Sequence, residues 1–209
     1  MTAAWVDRAE RRLRFLEIPN LAAFLTAMNA LSALLTSIKP EFPEQLLLQP
    51  SSILHGQVWR AVTFVLVPPD MPLLWLIFWL ILYFTYLNAL ERAWGDFKFT
   101  LYVLIGALAT AGASLATRMP FGSFYFVMSL FLAFAKINPD VQLLLFFVVP
   151  VKMRWIAAVA WFVLAWGMLF GGFQDRVAIL AGLFNYALYF GPDHAFQLRQ
   201  AWRRRRFRS

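Results

Sequence analysis

Cysteine is absent from this 209-residue chain, which excludes disulfides, thiolate metal sites and cysteine nucleophiles. Histidine is almost absent. Only His55 and His194 occur, too few for a multi-histidine metal site. Charge is scarce as well, at 14% of residues against about 25% in an ordinary soluble domain. Hydrophobic residues make up 61%, so disorder is excluded. With 22 Phe and 9 Trp, a single soluble core of this size could not hide the apolar surface. The N-terminal region also lacks the apolar stretch of a signal peptide. Asp7, Arg8, Glu10, Arg11, Arg12 and Arg14 stand where that stretch would be.

What is present is a series of long apolar runs. A spanning helix needs about 20 mostly apolar residues, and six segments meet or approach this: 21–38, 71–90, 98–117, 121–136, 154–171 and 176–191. The third carries a small-residue face of Gly106, Ala109, Ala113 and Ala116. The runs are continuous and not alternating, which disfavours a transmembrane barrel. Helices satisfy their own backbone in hydrocarbon, where no water is at hand. The stretch 141–149 is apolar but too short to span, and is expected as a re-entrant or interfacial segment, with extension of the fourth or fifth helix as the alternative. Residues 1–19 are expected as an amphipathic interfacial segment, 20–191 as the membrane domain and 192–209 as a basic cytoplasmic tail.

The net charge of +8 suggests nucleic-acid binding only until it is mapped. With the N-terminus cytoplasmic, fifteen Lys and Arg fall on the inner side. Only Lys39, Arg60, Arg118 and Arg176 fall outside. This positive-inside split requires an even number of spans and puts both termini inside. The run Arg203, Arg204, Arg205 and Arg206 follows the last span. It is expected to anchor the topology and to attract anionic lipid headgroups. The partners expected are therefore membrane lipids and transmembrane helices of other proteins, with a larger membrane complex as one setting, and no nucleic acid.

Ionisable groups are missing from the apolar interiors, which argues against a proton relay or an ion-coupled transporter. The polar residues at depth are few: Thr85 and Asn88 in the second span, Ser123 and Ser129 in the fourth, Asn185 in the sixth. No cofactor is expected. The glycines lie within spans and do not follow strands, so a phosphate-loop reading fails on context. The distinctive residues sit at span ends. Gln57-Val58-Trp59-Arg60 with Thr63 follows the first span. Leu90-Glu91-Arg92-Ala93-Trp94-Gly95 follows the second. Ala133-Phe134-Ala135-Lys136 with Asn138-Pro139 ends the fourth, and Leu145-Phe146-Phe147-Val148-Val149-Pro150 with Lys152 and Trp155 precedes the fifth. Read singly, Trp59 and Trp94 fit aromatic belts, and Glu91 with Arg92 fits a helix-end ion pair.

Together, and in this order, these segments resemble the rhomboid superfamily, which includes the Derlins, over about residues 20–190. Glu91 and Gly95 match the end of the family's Gly-x-x-x-Glu-x-x-x-Gly pattern, although Leu87 stands at its first glycine. The resemblance implies an all-α bundle of six transmembrane helices with both termini cytoplasmic. It also singles out Trp59, Arg60, Glu91, Arg92, Gly95 and Gly182 as structural positions.

An active member of that family uses a serine on span four and a histidine on span six, because a serine hydroxyl needs a base to take its proton. Aligning Phe121-Gly122-Ser123-Phe124 with the family's Gly-x-Ser places the nucleophile at Ser123 or Phe124. The family's Ala-His-x-x-Gly falls on Ala178-Ile179-Leu180-Ala181-Gly182, so Ile179 occupies the histidine position. The His-x-x-x-Asn pair that would support the oxyanion falls on Trp75 and Trp79. His55 lies on the outer side but has no spacing that aims it at Ser123, and His194 lies on the cytoplasmic side. Ser123 is then expected as a helix-packing hydroxyl.

The resemblance thus implies a non-catalytic membrane protein that binds or scaffolds transmembrane partners, in a larger complex or alone. Trp75, Phe78, Trp79 and Leu82 form the candidate face for a partner or for lipid. The short fourth span implies hydrophobic mismatch with the bilayer. A divergent intramembrane serine protease using Ser123 is the alternative. The lack of cysteine and the six simple spans lead to an expected location in a bacterial inner membrane.

Overall fold

The computed structural model describes residues 4–145 and 149–191. The expectations for His194, for the tail and for Arg203–Arg206 lie outside the described residues. Helix α1 (Ala4–Leu13) is short and leads through a turn to Pro19-Asn20. Helix α2 (Leu21–Ile38) carries no charged residue. It buries one stripe of Leu21, Ala22, Leu25, Asn29 and Ser32, at helical spacing. The loop that follows holds the short helices α3 (Pro50–Leu54) and α4 (Arg60–Thr63). Then come α5 (Leu73–Trp94), α6 (Asp96–Thr117), α7 (Phe124–Ile137), α8 (Met153–Phe170) and α9 (Phe173–Gly182), with a helical continuation over 184–191 after a break at Leu183.

Among the described residues, four helical segments are long and apolar enough to cross a membrane, namely the one ending in α2 and helices α5, α6 and α8; α7 is a shorter apolar helix. With the broken segment 173–191 these make an all-α polytopic membrane fold. Helix α6 is its centre. Half of its apolar window is buried, against 22% for α5 and 17% for α8. It packs on α5, α9 and the loop helix α4. Its buried small face is Gly106, Ala107, Thr110, Ala111 and Ser114, not the expected Gly106, Ala109, Ala113 and Ala116. Ala116 is exposed. The spacing of the alanines alone missed the two hydroxyl residues. Those can be buried because Thr110 donates to Gly106 O at 2.9 Å and Ser114 to Met119 O at 2.6 Å.

The described parts of 141–149 are neither re-entrant nor an extension of a neighbouring helix, but strands. Strand β1 (Gln142–Leu145) pairs antiparallel with β2 (Val149–Lys152), with Gln142 opposite Lys152. Pro139 and Pro150 interrupt any continuing helix, and pairing the two arms satisfies backbone groups that an isolated apolar run would leave open. The base of the hairpin also starts α8. Met153 N donates to Val141 O at 2.8 Å and Arg154 N to Pro139 O at 3.1 Å, while Asp140 lies 3.7 Å from Lys152 and 3.8 Å from Arg154.

The second span runs further than its apolar core. Glu91, Arg92 and Trp94 occupy the last turn of α5 and not a loop after it. Only Gly95 separates α5 from α6. Its φ of +83° and ψ of 160° belong to a region nearly closed to residues with a Cβ. Replacing Gly95 by Val is expected to cost about 1–3 kcal/mol and to lower the melting temperature of the detergent-solubilised protein. Gly112→Val, at an exposed position of α6 with open space around it, serves as the control in the same scan and is expected to shift it less.

Candidate functional site

The loop between α2 and α5 is built around Arg60. Its guanidinium is buried and donates to Glu44 O, to Leu47 O at 3.0 Å and to Gln57 Oε1 at 2.6 Å. A buried arginine is tolerable only with its donors met, so this one side chain joins two stretches of loop, 44–47 and 57–60. Thr63 adds a bond from Oγ1 to Leu46 O at 3.3 Å. Trp59 beside it is half exposed. The other end of the bundle is held by Glu91. Its carboxylate accepts from Ala22 N at 3.3 Å and 3.4 Å, at the start of α2. Glu91 is buried and turned to α2, while its neighbour Arg92 is exposed.

Ser123 stands immediately before α7. Its Oγ donates to Val67 O at 3.3 Å, so the hydroxyl ties the loop to the head of α7 and does not pack between two helices as expected. The nearby bridge of Leu48 with Phe121 reinforces the same join. Phe124, the other candidate for the nucleophile position, is exposed. Ile179 is buried on α9. A Cβ on Gly167 would come within 3.0 Å of its Cδ1, so the side chain fills the join between α9 and α8. A branched hydrocarbon offers no lone pair to take a proton.

Gly182 sets where the sixth span crosses the fourth. A Cβ there would lie 2.6 Å from Tyr125 Cβ and 2.7 Å from the Tyr125 carbonyl carbon. The crossing point is therefore two residues beyond Ser123. Ile179 lies one turn before Gly182, about 4.5 Å along the helix. The sixth span thus packs on the first turn of α7, close in sequence to Ser123. His55 is exposed, and its Nδ1 lies 2.6 Å from Ser51 O within its own loop. Among the described residues no three His, Asp or Glu side chains gather as a metal site.

The indoles of Trp75 and Trp79 differ in setting. Trp75 is exposed and tilts against Phe78, with ring centres 6.3 Å apart. Trp79 is half-buried and stacks on Tyr83 at 4.6 Å and 14° between planes. Leu82 is exposed beside them. Trp75 and Leu82 are exposed on this face, while Trp79 leans onto the core residue Tyr83. Trp94, expected in an interfacial belt, instead enters an aromatic cluster with Tyr102 (5.1 Å), Tyr189 (5.5 Å) and Phe190 (6.0 Å). Hydroxyls of that cluster reach backbone: Tyr102 Oη to Ser129 O at 3.0 Å and Tyr189 Oη to Lys98 O at 2.9 Å. The cluster ties the end of α5 to α6 and to the last helical segment.

Two polar side chains at depth carry structure that the sequence did not signal. Asn29 Nδ2 donates to Leu25 O at 2.9 Å and to Val65 O at 3.2 Å, pinning the loop to α2. Asn185 Nδ2 donates to Tyr102 O at 3.3 Å, and its Oδ1 accepts from Tyr186 N at 2.9 Å just past the break at Leu183. An amide freed by a helix break in hydrocarbon needs such a substitute. The residue type alone marked Asn185 as polar but not as the group that repairs the break.

The family model described as the Der1-like family matches residues 18–203. No curated protein matches the chain. The register shared by the fourth and sixth spans has a direct consequence for substitution. Gly182→Ala must push α9 off the backbone of α7, an overpacking cost of about 1–3 kcal/mol. Gly167→Ala meets only the end of the Ile179 side chain and is expected to cost less. Thermal unfolding of the two variants side by side checks the order, and a Gly182→Ala protein as stable as wild type would contradict the packing described.

Proposed function

The chain belongs to the Der1-like family of rhomboid-like membrane proteins, and from that premise we propose that it works by binding or scaffolding transmembrane partners and not by catalysis. The observation that carries this reading is the position of Ile179. On the rhomboid resemblance it occupies the position of the family's base, and its side chain packs towards Gly167. The Ser123 hydroxyl is in turn engaged with Val67 O. The same resemblance assigns Trp75 and Trp79 to the positions of the oxyanion donors, and an indole N–H is one donor on a bulky ring.

The surface left for partners is the outer half of α5, with Trp75, Phe78, Trp79 and Leu82. Helix α8 packs on α7 and α9 and exposes Trp155, Phe162, Trp166 and Phe170. These two helices have the smallest buried shares of the four long spans, so they offer the largest apolar faces to a helix arriving through the bilayer. Such an arrival is driven by packing and by complementary shape, since lipid is as apolar as the faces themselves. We place both termini in the cytoplasm on the distribution of Lys and Arg. The basic tail with Arg203, Arg204, Arg205 and Arg206 is assigned to anionic headgroups, and the location proposed is a bacterial inner membrane.

The test is recovery of partners from the native membrane in mild detergent, with wild type, Ser123→Ala and Trp75→Ala/Leu82→Ala compared by mass spectrometry. The expected outcome is one partner set that is the same with and without Ser123 and falls several-fold with the α5 variant. Full-length proteins that accumulate only on Ser123→Ala, with their fragments appearing only beside wild type, would make the chain a protease and sink the proposal.

A further inference from the structure

Two hydroxyl groups in the bundle interior stand apart from the rest. Ser32 on α2 and Tyr83 on α5 are buried, at 2% and 0% exposure. Neither Ser32 Oγ nor Tyr83 Oη has a hydrogen-bond partner among the described residues. The contrast within α2 is sharp. Thr26, Thr36 and Ser37 each turn their hydroxyl back to the carbonyl four residues earlier, at 2.7–3.1 Å. Ser32 is the remaining hydroxyl of that helix, and it makes no such bond. Its oxygen is directed into the bundle. The buried hydroxyls of Tyr102, Thr110 and Ser129 all reach backbone carbonyls.

The two lone hydroxyls also lie at similar depth. The bonds from Ala22 N to Glu91 set the antiparallel register of α2 and α5. From that level Ser32 is ten residues along α2, about 15 Å, and Tyr83 is eight residues back along α5, about 12 Å. Ser32 continues the buried stripe of Leu25 and Asn29, and Tyr83 that of Leu87 and Glu91. Trp79, stacked on the Tyr83 ring, covers it on the side of the next turn. A buried hydroxyl without a partner is strongly disfavoured, and two such groups on facing stripes supply the minimum of two polar partners that an internal water needs.

We propose that Ser32 and Tyr83 hold one internal water between α2 and α5, a second polar site in the join of these two spans, deeper than the Glu91 contact. The water gives each hydroxyl the partner the chain does not. This site is independent of Ser123 and of the partner-binding reading.

The test is a double-mutant cycle on the full-length protein with Tyr83→Phe, Ser32→Ala and both together, read by thermal unfolding in one detergent. Ser37→Ala, an exposed position of α2, corrects for the helix preference of alanine. Each single change is expected to lower the melting temperature by roughly 2–4 °C. The double variant should fall by clearly less than the sum, because either change alone already empties the shared site. A melting temperature that rises or stays level in either single variant would mean that the hydroxyl has no partner to lose, and would overturn the proposal. Fully additive losses would overturn it too, since they would assign the two hydroxyls to separate partners.

Discussion

The first amides of a helix have no carbonyl to bond within their own helix, and in a membrane fold that debt falls due at every span. At the start of α2 it is met by Glu91. The carboxylate of α5 reaches the backbone at Leu21 and Ala22, where the helix dipole also favours negative charge. Thr100 of α6 joins in, with Ile18 N donating to its Oγ1 at 3.3 Å. The turn that presents those amides is made by Asn20, whose φ of 55° follows directly on Pro19. Three spans are thereby set in level before any side-chain packing is counted. The register of α2 against α5 and the position of α6 beneath them both follow from this one polar contact.

From that junction the bundle divides into a dense part and an open part. The dense part is α6, α7 and the sixth segment, where Gly106 makes room for the side chains of Asn185 and Phe126, Gly182 lets α9 approach the backbone of α7, and Asn185 closes the gap left by the break at Leu183. The open part is α5 and α8, which meet the interior along narrow stripes and leave large aromatic side chains outside. Arg60 belongs to neither part and binds the loop that caps them.

Much of this was legible in the chain. The long apolar segments, the all-α membrane class and the family resemblance all follow from runs and spacings. What was not legible depends on partners distant in sequence. The hairpin of β1 and β2 looks like one apolar run until the two arms pair. Trp94 looks like a belt residue until Tyr102, Tyr189 and Phe190 are seen around it. The small face of α6 is set by which helices press on it, so alanine spacing alone pointed about one residue away. Ser123 shows the same limit at the candidate site: its hydroxyl is aimed by Val67, 56 residues earlier.

The single residue between α5 and α6 also bears on how the two spans can move. A connection of this length leaves no slack for them to part at that end. Each is 22 residues long, and they pack together as a closed hairpin. The ends of that hairpin emerge on the same side, with Pro72 at one and Arg118 at the other. Any widening between these two spans is therefore a pivot about Gly95, confined to the end that carries Pro72 and Arg118.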